Sequence, residues 1–311
     1  MRLSNVGSLT PSVGEYLTFL EKEKRRSFNT LMAVSQDLQS LGASPELLSF
    51  DQLREVLSRK RAAGMAASSL ARLASSWRGF YAYLVQYKGL QLNPASGLKT
   101  PKLALRLPKT VPIDTLQAIL LKPLCPDRFE IARAQIVVEL LYFTGLRVSE
   151  AVSLRWVNSS RDQPLQTNWL CLKRQEIHVE GKGSKQRIVP LANVFVERLK
   201  LWHNYVTLFF VQQNHWARDA VLLTHKGKAL TARQAQHDLT RLEHYFSMGC
   251  HLHPHMLRHS FGSHLLQESQ NLRAVQELLG HRSLSSTQVY TALDFKHLAA
   301  VYDTAFPRSK K

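Results

Sequence analysis

The chain has 311 residues, with 41 Lys+Arg against 23 Asp+Glu and a formal net charge of +18. Hydrophobic residues at 44% and aromatics at 9% suffice to build cores, which excludes whole-chain disorder, and no apolar run approaches the roughly 18 residues of a membrane span. Three cysteines (Cys125, Cys171, Cys250) without a CxxC pair give neither a disulfide framework nor a structural zinc site, so a soluble protein of a reducing compartment is expected.

At roughly 100–200 residues per domain the length points to two domains. The part before Thr110 carries 16 basic and 7 acidic residues, and the part after it 25 and 16. Arg54 to Lys109 holds eleven bases and one acid, Glu55. Solvated faces mix signs to limit self-repulsion, so this imbalance points to phosphate neutralisation and to nucleic acid as partner.

In chain order, Ser44-Pro45-Glu46 reads as an N-cap with proline at the first helical position, followed by Phe50, Leu53, Val56 and Leu57 at helical spacing. Leu70, Leu73, Ala74, Trp77, Phe80, Tyr81 and Leu84 form a longer helical stripe, whose period matches a buried face better than a base-stacking surface. The pattern stops between Asn93 and Pro112, where Pro94, Gly97, Pro101, Pro108 and several lysines and arginines mark a basic linker. Beyond it, Ile113–Leu121 and Ile131–Phe143 are helical by period, with Gly145 as C-cap. Trp169 to Glu180 alternates like a strand, and Gly181-Lys182-Gly183-Ser184 reads as a hairpin turn into Gln186–Leu191. The expected fold is mainly α with a small antiparallel β-sheet. Residues 8–93 form a helical domain, 94–111 a linker and 112–311 a second domain, the two closing as a C-shaped clamp around a duplex.

Several catalytic templates fail. A P-loop needs a glycine five positions before its Gly-Lys, and Glu176 stands there; no GxSxG or HExxH occurs. Cys250, His251, His253 and His255 alternate, but no carboxylate or second cysteine pair accompanies them in sequence, so a metal site is not expected. What remains is cationic and proton-carrying. Arg147 follows the Gly145 stop with Glu150 three residues on, able to buttress it. His255 and Arg258 share a helix face, His281 follows a glycine, and Tyr290 comes nine residues later.

Taken in order, TGLRVSE, EGKGSKQR, HPHMLRHSFGSHLL, LLGHRS and STQVYT resemble the Arg…Lys…His-x-x-Arg…His…Tyr signature of the tyrosine recombinases, the lambda-integrase-like family. Arg147, Lys182, His255, Arg258, His281 and Tyr290 stand at the six places. The resemblance runs over essentially the whole chain, and the stretch from Val275 to Lys310 is similar to the XerC branch of the Xer recombinases. One departure is a longer stretch, Val157 to Asn168, between the first arginine and the lysine hairpin.

The resemblance implies a core-binding domain followed by a catalytic domain, and transesterification of a DNA phosphodiester without metal, ATP or other cofactor. Tyr290 would be the nucleophile, Arg147 and Arg258 would hold the scissile phosphate, and His281 would add a hydrogen bond to it. Lys182 would protonate the leaving 5′ oxygen; Lys185 is the rival but lacks flanking glycines. His255 would accept the phenol proton. His259 and His264 read as packing or supporting groups. The chemistry suits these residues: a phenol of pKa ~10 is only about one-thousandth ionised at pH 7, and guanidinium forks hold a phosphate without deprotonating. The likeness further implies a duplex DNA site, a second Xer recombinase (XerD-like) in a tetramer, a DNA translocase as activator, and a role in resolving chromosome dimers at cell division in the bacterial cytoplasm, at the nucleoid. The tail from Asp294, with Phe295, Leu298, Val301 and Tyr302 at helical spacing, would dock into a neighbouring protomer. A mobile-element integrase, a type IB topoisomerase-like enzyme and a non-catalytic DNA-binding architectural protein stand as alternatives.

Overall fold

A computed structural model describes residues 10–101, 110–157, 168–181, 186–212 and 215–269. The chain divides into two compact units, one up to Arg106 and one from Leu107, each around its own hydrophobic core.

The first unit is helical: α1 (Pro11–Lys22), α2 (Phe28–Gln39), a 3₁₀ turn at Pro45–Leu47, α3 (Phe50–Ala62) and α4 (Ala67–Lys88). The α4 stripe is the core face, since Leu70, Leu73, Ala74, Trp77, Phe80, Tyr81 and Leu84 are all buried, as their period requires. α4 ends at Gly89, whose φ of 75° is the left-handed cap that favours glycine. The start of α3 differs from expectation. Ser44-Pro45-Glu46 opens only the 3₁₀ turn, whose Pro45 carbonyl accepts the Tyr81 hydroxyl at 2.5 Å. The helix begins after Ser49, because Ser49 and Gln52 exchange side-chain and backbone hydrogen bonds in a capping box that satisfies both N-terminal donors. Arg72, off the stripe, is turned to the buried Asp37 at 2.5 Å, and Ser76 donates to the same carboxylate at 2.7 Å.

The second unit is built around α6 (Phe129–Thr144), in which every residue except Glu130 is buried. Around it lie α5 (Ile113–Leu120), α7 (Val148–Val152), α8 (Asn193–Phe210), α9 (Ala232–Phe246) and α10 (Pro254–Ser269). Two charges in α6 are tolerated because each is paired: Glu139 accepts Arg198 Nε of α8 at 2.9 and 3.1 Å, and Arg133 donates to Asp238 of α9 at 2.7 and 2.8 Å. Among the described residues no helix is long and apolar enough to cross a membrane.

The sheet has four strands in the order β1 (Arg155–Trp156), β2 (Trp169–Cys171), β3 (Glu176–Glu180), β4 (Gln186–Pro190). It is antiparallel from β2 to β4, as expected, but β1 joins β2 in parallel and makes the sheet mixed. The single strand expected from Trp169 to Glu180 is two strands. A turn interrupts it at Gln175, whose φ of 55° is left-handed and reverses the chain. The β3–β4 register pairs Glu180 with Gln186, bracketing the segment that carries Lys182. Most of the longer stretch Val157 to Asn168 lies outside the described residues, but its base is closed. The Val157 N–H donates to the Leu170 carbonyl at 3.0 Å, and Asn168 joins Ser153 Oγ at 2.7 Å to the Glu180 N–H at 2.8 Å.

Candidate active site

Gly145 stops α6 with a left-handed φ of 59°, and the chain turns at once into the short α7, with Arg147 at its N-cap. That turn aims Arg147 back at Glu150. The Glu150 carboxylate accepts the Arg147 backbone N–H at 2.8 Å and its Nη1 at 2.9 Å, so the expected buttress forms. The Arg147 side chain remains 36% exposed, open to a ligand.

A third residue joins them. Arg187 of β4 donates Nη1 and Nη2 to the two Glu150 oxygens at 3.1 and 2.8 Å, a two-pronged fork. Arg187 closes the EGKGSKQR stretch, where motif spacing assigns it no role. The signal that could have found it is strand parity. Arg187 alternates with exposed Ile188 and shares a face with buried Val189, and an arginine at a core-facing position calls for a carboxylate.

Arg258 comes from α10, which packs against α6. It is 8% exposed, and its Nη1 donates to the Gly145 carbonyl left over at the end of α6. Its pKa is pushed down to about 10, by burial first, then by the Arg147 charge, with Arg187 adding to the fall and Glu150 opposing it. Burial alone would raise the Glu150 carboxyl. Hydrogen bonds and charge from Arg187, then the Arg147 N–H and guanidinium, overcome this and hold it below the ordinary carboxylate range. Three guanidiniums thus surround one carboxylate in a largely buried place, leaving a positive excess that an entering phosphate would neutralise.

The predicted residues divide accordingly. The structure brings Arg147 and Arg258 together. His255, one turn before Arg258 on α10, is exposed while Arg258 is buried. Lys182, His281 and Tyr290, the rival Lys185 and the tail from Asp294 lie outside the described residues. His264 packs inside the unit: its Nδ1 lies 3.0 Å from the Tyr142 hydroxyl of α6, and burial lowers its pKa. His259 is exposed, because its position on α10 falls outside the face that buries Leu257, Ser260 and Phe261. The His251 and His253 rings meet edge to face at 4.3 Å, and His251 Nδ1 lies 2.8 Å from Glu243, whose other oxygen takes the Leu252 N–H. A carboxylate does therefore reach this histidine pair, though among the described residues no three such side chains form a group able to hold a metal ion.

Comparison with known proteins gives this geometry its setting. Residues 119–297 match the model of the phage integrase family, and residues 13–88 match the phage integrase N-terminal SAM-like domain. Tyrosine recombinase XerC 1 of Ralstonia nicotianae is 39% identical, across 97% of this chain and 94% of that protein. Tyrosine recombinase XerC of Pseudomonas fluorescens is 42% identical, across 95% and 96%. The fold is similar to that of a lambda integrase tetramer bound to a Holliday junction, with a TM-score of 0.65, 15% identity and coverage of 94% of this chain and 82% of that one. It is also similar to XerH recombinase bound to its difH substrate after cleavage, with a TM-score of 0.60, 18% identity and coverage of 95% and 82%. The chain belongs to the phage integrase family, and with XerC relatives at about 40% identity over nearly its full length it is a tyrosine recombinase, an enzyme of site-specific DNA recombination.

Proposed function

We propose that the enzyme cuts and rejoins duplex DNA through a 3′-phosphotyrosine at Tyr290, with Arg147 and Arg258 gripping the scissile phosphate. The observation that carries this reading is the convergence of the two arginines from separate elements around Glu150 and Gly145. The Tyr290 oxygen attacks phosphorus, a new P–O bond forms, and the bond to the 5′ oxygen breaks. His255 takes the phenol proton and Lys182 supplies one to the leaving 5′ oxygen, while His281 donates to the phosphate. The pentavalent transition state gathers charge on its non-bridging oxygens, where preorganised guanidiniums act most strongly. Because the phosphotyrosine conserves the energy of the broken bond, a 5′-hydroxyl from a second duplex can reverse the attack.

Around this chemistry we place a core-binding domain at residues 8–93, a basic linker at 94–111 and a catalytic domain at 112–311, whose tail docks into a neighbouring protomer. The partners are a duplex recombination site, a second Xer recombinase in a tetramer on two sites, and a DNA translocase as activator. The biological role is resolution of chromosome dimers at cell division, in the cytoplasm at the nucleoid. Supporting this are the XerC names of the relatives and the DNA-bound dimers and tetramer among the similar folds.

The test is covalent trapping on nicked suicide DNA in excess chelator, with the partner recombinase present. The expected result is an SDS-resistant adduct whose labelled peptide contains Tyr290. An adduct on another residue, or none with tight binding to the same DNA, overturns the reading.

A further inference from the structure

We propose that Arg187 is a positioning residue that ties the lysine-bearing β3–β4 hairpin, through Glu150, to the arginines that grip the phosphate. The proposal rests on the roles given above to Arg147 and Lys182. A carboxylate offers about four lone-pair sites. Glu150 has them filled by the Arg147 N–H and Nη1 and by the two prongs of Arg187, so it has a fixed orientation and passes it to Arg147.

The local structure needs that bond. α7 spans only Val148–Val152, far too short to hold its own direction, so Arg147 takes its direction from what grips Glu150. Arg187 grips it from a strand, with a side chain 11% exposed and its backbone opposite Val179 of β3. Arg187 is also the second residue of β4, next to Gln186, where the pairing with Glu180 opens into the segment that carries Lys182. A shift of the hairpin would thus reach Arg147 through one two-pronged contact. The strand that follows the lysine segment and Arg147 are mechanically joined.

Arg187→Lys separates orientation from charge, because lysine keeps the positive charge beside Glu150 but loses the planar fork. The expected result is single-turnover cleavage slowed about ten- to a hundredfold by misplacement of Arg147, with DNA affinity unchanged. A second readout is one that mere loss of packing would not move. Three charged groups bear on Glu150: Arg147 at the α7 cap, Arg187 from β4 and Arg258 from α10. Burial pushes the Glu150 carboxyl up, and Arg187 is the largest influence pulling it down. Weakening Arg187 lets the carboxyl rise, so the acid limb of the cleavage–pH profile should move to higher pH.

Arg187→Lys at the wild-type rate with an unmoved acid limb overturns the inference. If Arg187→Lys does not fold, Arg187→Gln keeps a planar donor beside Glu150 without the charge and must still cleave slowly; a wild-type rate from it is equally fatal. Wild-type enzyme is run on the same DNA. A Tyr290 adduct there beside an unimpaired variant removes this inference alone, whereas no adduct from wild type removes the functional reading and this with it.

Discussion

Arg258→Lys should cut DNA on the order of 10²–10³ times more slowly than wild type, the usual loss when one preorganised donor to a transition state is removed. The deficit should widen as pH rises. Arg258 is buried beside Arg147 and Arg187, and together these bring even a guanidinium down to about 10. The same surroundings would push a lysine below its ordinary ~10.4, so it would lose charge at a lower pH than arginine does. Lysine also lacks the second prong needed to hold the Gly145 carbonyl and a phosphate oxygen at once. Single-turnover cleavage measured across pH 6.5 to 8.5 checks both parts. A uniform deficit at every pH would mean that geometry alone, and not charge, requires arginine here.

Glu150→Ala should destabilise the second unit by about 3–5 kcal/mol, the range for breaking a buried ion pair from one side. For a unit of this size that lowers its thermal midpoint by about 6–20 °C. The loss comes from cations rather than from packing: Arg187 and Arg147 lose their shared acceptor, and Arg258 loses a nearby charge that favours it. The sign with pH follows from the depressed carboxyl. Its contribution is present above the ordinary carboxylate pKa and is lost as pH falls through the lower folded value. Wild type should therefore lose stability on acidification where Glu150→Ala, with no carboxyl to protonate, has a flatter curve. Thermal melts of both proteins from neutral to acidic pH test this, and parallel curves would refute it.

What was legible in the sequence was local. The α4 stripe and the Gly145 stop could be read because a 3.6-residue period and a left-handed cap depend on nothing distant. Ser44 was misread as a helix start because the same cap residues open a 3₁₀ turn, and only the Ser49–Gln52 exchange decides between them. The strand through Gln175 was read as continuous because alternation persists across a turn that a non-glycine residue makes. At the candidate site, motif spacing singles out Arg147 and Arg258, and the offset of three pairs Glu150 with Arg147, as the structure shows. The contact of Arg187 with Glu150 is not legible there because it depends on strand register, which brings residues 37 apart in sequence together. The burial of Arg258 beside an exposed His255 was equally hidden, since one helix face can straddle the edge of a core.

The burial of α6 on all sides has a consequence for amide exchange. A helix with no wet face and two ion pairs to its neighbours cannot fray alone, so its amides should exchange only when the whole unit opens. Its last turn supplies the Gly145 carbonyl that holds Arg258, and Arg147 follows two residues later. Arg147 and Arg258 are thus moored to that buried helix, while Arg187, which grips Glu150, belongs to a sheet of strands two to five residues long. Opening of that sheet would therefore move the Arg147 side chain by way of Glu150, while the backbone at Gly145 stays in place.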